Sequence, residues 1–119
     1  MKQATIYQYS KCGTCRDAVK HLKRNGYELE SIEIFDNPPD AKTLAGIVRK
    51  SGLPLQRFFN TSGEVYREQQ LKDRLPGMTE EEKIALLSSN GRLIKRPIVV
   101  SGDQVTVGYK AQQYDEIWS

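Results

Sequence analysis

Only two cysteines and one histidine occur among the 119 residues. That supply excludes a zinc site built wholly from cysteine and histidine, which takes four ligands as a rule, and it leaves no set of disulfides to staple the fold. No apolar run approaches the roughly 20 residues that a membrane-spanning helix needs. With 28% charged residues and a mean hydropathy of -0.61, the composition is that of an ordinary soluble protein, and no membrane partner is expected. Charge of one sign is scarce as well: 18 Lys and Arg against 15 Asp and Glu leave a net +3. The cations are scattered among the acids, so direct nucleic-acid binding is not expected. No leader pattern precedes the first β-like stretch, and a cytoplasmic location is expected. Internal repeats and low-complexity segments are absent from the sequence, and its length suits one domain with a real core.

What is there is the motif Cys12-Gly13-Thr14-Cys15. Ala4 to Tyr9 alternates like a half-buried strand, and Cys15, Ala18, Val19 and Leu22 then recur at the spacing of one helix face. The motif therefore opens a helix at the end of a strand. A thiol reacts as its thiolate, and the unpaired N–H groups and positive dipole end of a first helical turn stabilise an anion. Cys12 occupies that position, with Lys11 and Arg16 adding positive charge on either side. Cys15, one turn inward on the apolar face, is placed to resolve a mixed disulfide. Two other uses of such a pair remain open at this point, as half of a metal site or as two small core residues.

Leu29 to Phe35 reads as a second strand, parallel to the first because a helix ending at Asn25-Gly26 separates them. Asn37-Pro38-Pro39 breaks the chain. Asp40 then caps a helix carrying Leu44, Ile47 and Val48 that ends at Gly52, Pro54 suits the start of another short helix, and Thr79 with Glu82 forms a capping box. The block from Asp40 to about Asn90 reads as helical, with a hint of strand only at Val65 and Tyr66. Ile98 to Val100 and Gln104 to Val107 form a hairpin across Ser101-Gly102-Asp103, and Ala111 to Trp118 reads as a closing helix. The expected architecture is α/β: a thioredoxin-like mixed four-stranded sheet with an inserted helical subdomain. Its core is expected at about 1–36 and 92–119, and the insertion at about 37–91.

Three segments together, Tyr9-Ser10-Lys11-Cys12-Gly13-Thr14-Cys15-Arg16, Phe58-Phe59-Asn60-Thr61-Ser62-Gly63 and Leu93-Ile94-Lys95-Arg96-Pro97-Ile98-Val99-Val100, resemble the ArsC/Spx family over essentially the whole chain. That family unites glutaredoxin-coupled arsenate reductases with redox-sensing transcriptional regulators that bind the RNA polymerase α subunit. The resemblance implies that Cys12 is the nucleophile, that Cys15 pairs with it, and that Arg96 holds an oxyanion or the thiolate. A planar guanidinium suits either task. Lys11, Gly13, Thr14, Arg16 and Pro97 fall in the supporting positions, and the thioredoxin-like fold implies a cis bond at Arg96-Pro97. The reductases surround the oxyanion with three arginines. Here Asn60 and the Val107-Gly108-Tyr109 segment lack two of them, which should weaken arsenate binding by several orders of magnitude, at about 1.5 to 3 kcal/mol per charge-assisted contact, unless Arg67, Lys95 or Lys110 substitutes.

The resemblance further implies thioredoxin, or glutathione with glutaredoxin, as reductant, and no bound cofactor or metal. Three remaining residues have simpler expected uses. His21 falls on the polar side of the first helix and is expected in solvent. Tyr114 and Trp118, one turn apart in the closing helix, are expected in the core, and Gly52 is expected to end its helix.

Overall fold

The computed structural model describes residues 2–119. In chain order its elements are β1 (Lys2–Gln8), α1 (Gly13–Arg24), β2 (Tyr27–Glu33), α2 (Ala41–Ser51), α3 (Glu64–Glu68), α4 (Leu71–Arg74), α5 (Glu80–Ser89), β3 (Ile98–Ser101), β4 (Gln104–Val107) and α6 (Ala111–Ile117), with short 3₁₀ turns between them. They fall into two compact units. One holds the chain up to Glu33 and from Arg96 onward, the other Ile34–Lys95. Among the described residues no helix is long and apolar enough to cross a membrane.

The first unit is a four-stranded sheet in the order β2-β1-β3-β4. β1 and β2 run parallel, from Lys2 opposite Tyr27 to Gln8 opposite Glu33, while β1 with β3 and β3 with β4 are antiparallel. The parallel pair follows from the α1 crossover, since parallel strands cannot be joined by a tight turn. The antiparallel pair turns at Gly102, whose φ of 58° suits the first position of a two-residue hairpin loop. Ala4 and Ile6 on β1 and Val99 on β3 form the floor of a core closed by Ala18 and Leu22 of α1 and by Tyr114 and Trp118. Leu22 is fully buried, which contributes about 1.5–3 kcal/mol for a side chain of that size. Tyr114 and Trp118 are in the core as expected, and each also satisfies its polar atom. The Tyr114 hydroxyl donates to the Gly108 carbonyl at 3.1 Å, and Trp118 Nε1 donates to Thr106 Oγ1 at 3.0 Å.

His21 departs from expectation. It is 2% exposed, with Nδ1 at 2.9 Å from the Tyr109 hydroxyl and Nε2 at 2.7 Å from Asp115 Oδ1. Its position flanks Ala18 and Leu22 on α1, and α6 packs against that face, bringing a hydroxyl and a carboxylate from the far end of the chain. β2 also begins and ends two residues earlier than its apolar pattern suggests, because β1 offers only Lys2–Gln8 as a pairing partner.

In the second unit α2 packs against α5. Asp40 caps α2 by accepting the Thr43 N–H at 2.7 Å, Gly52 ends it at φ 67°, and Thr79 and Glu82 form the reciprocal capping box of α5. Phe58, Phe59, Leu71, Leu87, Leu93 and Ile94 are buried, and Phe59 pairs with Ile94 in an isolated antiparallel bridge. Val65 and Tyr66 lie in α3 rather than in a strand: Arg67 N–H bonds to the Gly63 carbonyl and Gln69 N–H to the Val65 carbonyl, local bonds that need no partner strand. Gly91 sits hard against the backbone of Ile34, where a Cβ would stand 1.9 Å from the Ile34 carbonyl oxygen.

Candidate functional site

β1 ends at Gln8, and the chain turns through Tyr9, Ser10 and Lys11 into α1, a turn closed by the Cys12 N–H on the Tyr9 carbonyl at 3.0 Å. Cys12 is the N-cap residue: its backbone is extended at φ -92°, ψ 124°, and its carbonyl accepts the Arg16 N–H at 3.0 Å. An N-cap side chain ordinarily offers oxygen to the first orphan amides. Here the group in that place is a sulfur.

That placement separates the two thiols. For Cys12 partial burial opposes ionisation, but the Cys15 backbone N–H, the Cys15 thiol, the Thr14 backbone N–H and the Arg96 charge together hold its pKa below the ordinary thiol value. Cys15 is fully buried at the third position of α1. Burial and the neighbouring Cys12 sulfur push its thiol up to about 11, against the favourable Tyr9 N–H and Arg96. One cysteine is thus prepared to be an anion and the other to remain its hydrogen-bond donor. Both are free thiols in this structure.

Arg96 precedes β3, and its peptide bond to Pro97 is cis, as the fold implied. The Pro97 carbonyl accepts the Gly108 N–H at 2.8 Å, which pins this segment to the chain just after β4. The Arg96 guanidinium lies 5.7 Å from the centre of the Tyr9 ring, so the turn before Cys12 and the segment before β3 meet at the site. Lys11, Gly13, Thr14 and Arg16 are exposed around it, Thr14 contributing its backbone N–H. Asn60 belongs to the second unit, where its side chain lies against Gly63. Among the described residues no group of three or more His, Cys, Asp and Glu side chains is placed to hold a metal ion.

Sequence reasoning missed Tyr9. Its N–H, carbonyl and ring each serve the site, yet two of those groups are backbone and carry no signature of residue type. It also missed Glu33, whose Oε1 accepts both the N–H and the hydroxyl of Ser10, at 3.2 and 3.0 Å. A glutamate ending a strand gives no hint of a partner 23 residues earlier.

The chain is 50% identical over 115 residues to the "Uncharacterized protein YusI" of Bacillus subtilis, covering 97% of this chain and 98% of that one. The arsenate reductase from Vibrio cholerae superposes with a TM-score of 0.87 at 26% identity, covering 98% of each chain. The regulatory protein MgsR of Bacillus subtilis is 26% identical over 108 residues, which is 91% of this chain and 84% of that protein. With the ArsC family model matching residues 7–117, across the whole cysteine and arginine site, the chain belongs to the ArsC family.

Proposed function

We propose that the protein is a cytosolic thiol-disulfide oxidoreductase related to the glutaredoxin-coupled arsenate reductases, working through Cys12 and Cys15. The observation that carries this reading is the placement of two thiols within one helical turn, Cys12 at the N-cap of α1 and Cys15 fully buried at its third position. That placement favours ionisation of the first and opposes it in the second. The Cys12 thiolate attacks one sulfur of an oxidised substrate, forming a mixed disulfide and expelling the other sulfur as thiolate, which takes up a proton. Bond formation removes the negative charge from Cys12. The part of the Cys15 elevation due to that charge then disappears, so Cys15 loses its proton more readily and attacks the Cys12 sulfur. The second substrate thiol leaves, and a Cys12–Cys15 disulfide remains.

Arg96 stabilises the thiolate or a bound anion. Thioredoxin, or glutathione with glutaredoxin, returns the two electrons. On this reading arsenate is a poorer substrate than a disulfide unless Arg67, Lys95 or Lys110 replaces the arginines that Asn60 and the Val107-Gly108-Tyr109 segment lack. The test is NADPH oxidation by purified protein supplied in parallel with arsenate and with a small disulfide, under each recycling system, with Cys12→Ser as blank. Disulfide-dependent turnover that vanishes in the blank is expected. Equal rates in protein and blank would sink the proposal.

The likeness to MgsR supports a second reading, a redox-switched regulator whose partner is the RNA polymerase α subunit. That reading requires partner binding to differ between reduced and oxidised protein. Equal retention of both forms on immobilised α subunit would remove it.

A further inference from the structure

The turn from Tyr9 to Cys12 concentrates the site's contacts. The Tyr9 carbonyl receives the Cys12 N–H, the Tyr9 N–H faces the Cys15 sulfur, and the Tyr9 ring lies beneath Arg96. A shift of this turn therefore disturbs both cysteines and the arginine together. Short turns are the part of a sheet protein most free to move, since few bonds hold them from outside. This one is held from β2. Gln8, the last residue of β1, is buried and donates from Nε2 to Ser31 Oγ, and Ser10, within the turn, gives both its N–H and its hydroxyl to Glu33 Oε1. Glu33 stands directly opposite Gln8 in the parallel register, so the strand pairing itself delivers the carboxylate to the turn. Two bonds on one ionised oxygen are stronger than neutral ones and fix Ser10 in both position and orientation.

We infer that Glu33 is a positioning residue for Cys12, clamping the Tyr9–Cys12 turn through Ser10 so that the Cys12 sulfur stays over the first amides of α1; the inference rests on the reading of Cys12 as the nucleophile. Glu33 touches neither substrate nor sulfur in this role. Its negative charge taken alone would disfavour a thiolate, so clamp and charge predict opposite outcomes when the carboxylate is removed.

The test is the pH profile of Cys12 alkylation by iodoacetamide, an uncharged reagent, in the reduced full-length protein, with the modified cysteine identified by mass spectrometry. Glu33→Ala is expected to move the midpoint upward by about half a pH unit, a roughly threefold loss of rate at neutral pH. Glu33→Gln retains an oxygen acceptor and is expected to stay within about twofold of wild type. Ser10→Ala, at an exposed position, moves the profile in the same direction as Glu33→Ala by a smaller amount. A Glu33→Ala profile that overlays wild type overturns the clamp, as does a downward shift shared by Glu33→Ala and Glu33→Gln, which would mark Glu33 as a repelling charge. The two failures separate cleanly. A wild-type Cys12 that titrates as an ordinary thiol defeats the nucleophile reading, whereas an unmoved variant defeats the clamp whatever the wild-type midpoint.

Discussion

Cys12 and Cys15 are chemically identical side chains that the helix terminus makes unequal, and the inequality has a consequence for stability. Cys15 has a folded-state pKa above its unfolded value of 9.0, so its contribution is fully present below that value and is lost as pH rises through about 11. The buried Tyr114 hydroxyl is displaced upward as well and acts in the same sense. Cys12 is displaced downward, so its contribution is present above 9.0 and is lost as pH falls through its lower folded-state value. Denaturant midpoints measured between about pH 8 and pH 11 should therefore fall more steeply for wild type than for Cys15→Ala. Parallel curves would show that Cys15 ionises as freely in the fold as outside it. The position of Cys12 at a helix start was legible in the sequence, because strand alternation gives way to helical spacing at that point. The sulfur environment was less so. Its donors are the backbone amides of Tyr9, Thr14 and Cys15, and a backbone N–H is the same whatever side chain it carries.

Elements whose limits are set locally match their sequence signals. Asp40, Gly52 and the Thr79–Glu82 pair act within one turn of themselves, and α2 begins and ends, and α5 begins, where those residues place them. Thr79→Ala should cost about 1 kcal/mol of stability by removing a cap from α5, read from urea unfolding. Features decided at long range were not legible. His21 looks polar and solvent-facing on α1 alone, and its burial depends on Tyr109 and Asp115, which arrive with the far end of the chain. Val65 and Tyr66 have strand-forming side chains but find backbone partners within their own turn. Gly91 gives no local sign of its role, since the constraint is the carbonyl of Ile34. A methyl group there would collide with backbone rather than with a yielding side chain. Gly91→Ala should cost about 2 kcal/mol or more, seen as a lower thermal midpoint with little change in denaturant dependence. A variant as stable as wild type would mean that this contact is looser than the structure places it.

At the scale of the molecule, the sheet brings the turn before Cys12 and the segment before β3 to one site. The mixed four-stranded sheet with its parallel first pair and closing hairpin was legible in the motif order, and the cis Arg96-Pro97 bond was what the resemblance implied. Membership of the ArsC family accounts for that framework but does not choose a substrate, since fold and chemistry are separable. The departures within the chain are what bear on that choice. The resemblance leads one to expect arginines at Asn60 and in the Val107-Gly108-Tyr109 segment that this sequence lacks, while the cysteine pair is what a disulfide exchange needs. The most direct measurement is intact-mass analysis after brief exposure of the reduced protein to oxidised glutathione, with wild type, Cys15→Ser and Cys12→Ser side by side. Wild type should lose two hydrogens as the Cys12–Cys15 disulfide forms, Cys15→Ser should accumulate a single glutathione adduct on Cys12, and Cys12→Ser should remain unmodified. An adduct on Cys15 in the Cys12→Ser protein, or a stable adduct on wild-type Cys12 that never resolves, would contradict the division of labour between the two thiols.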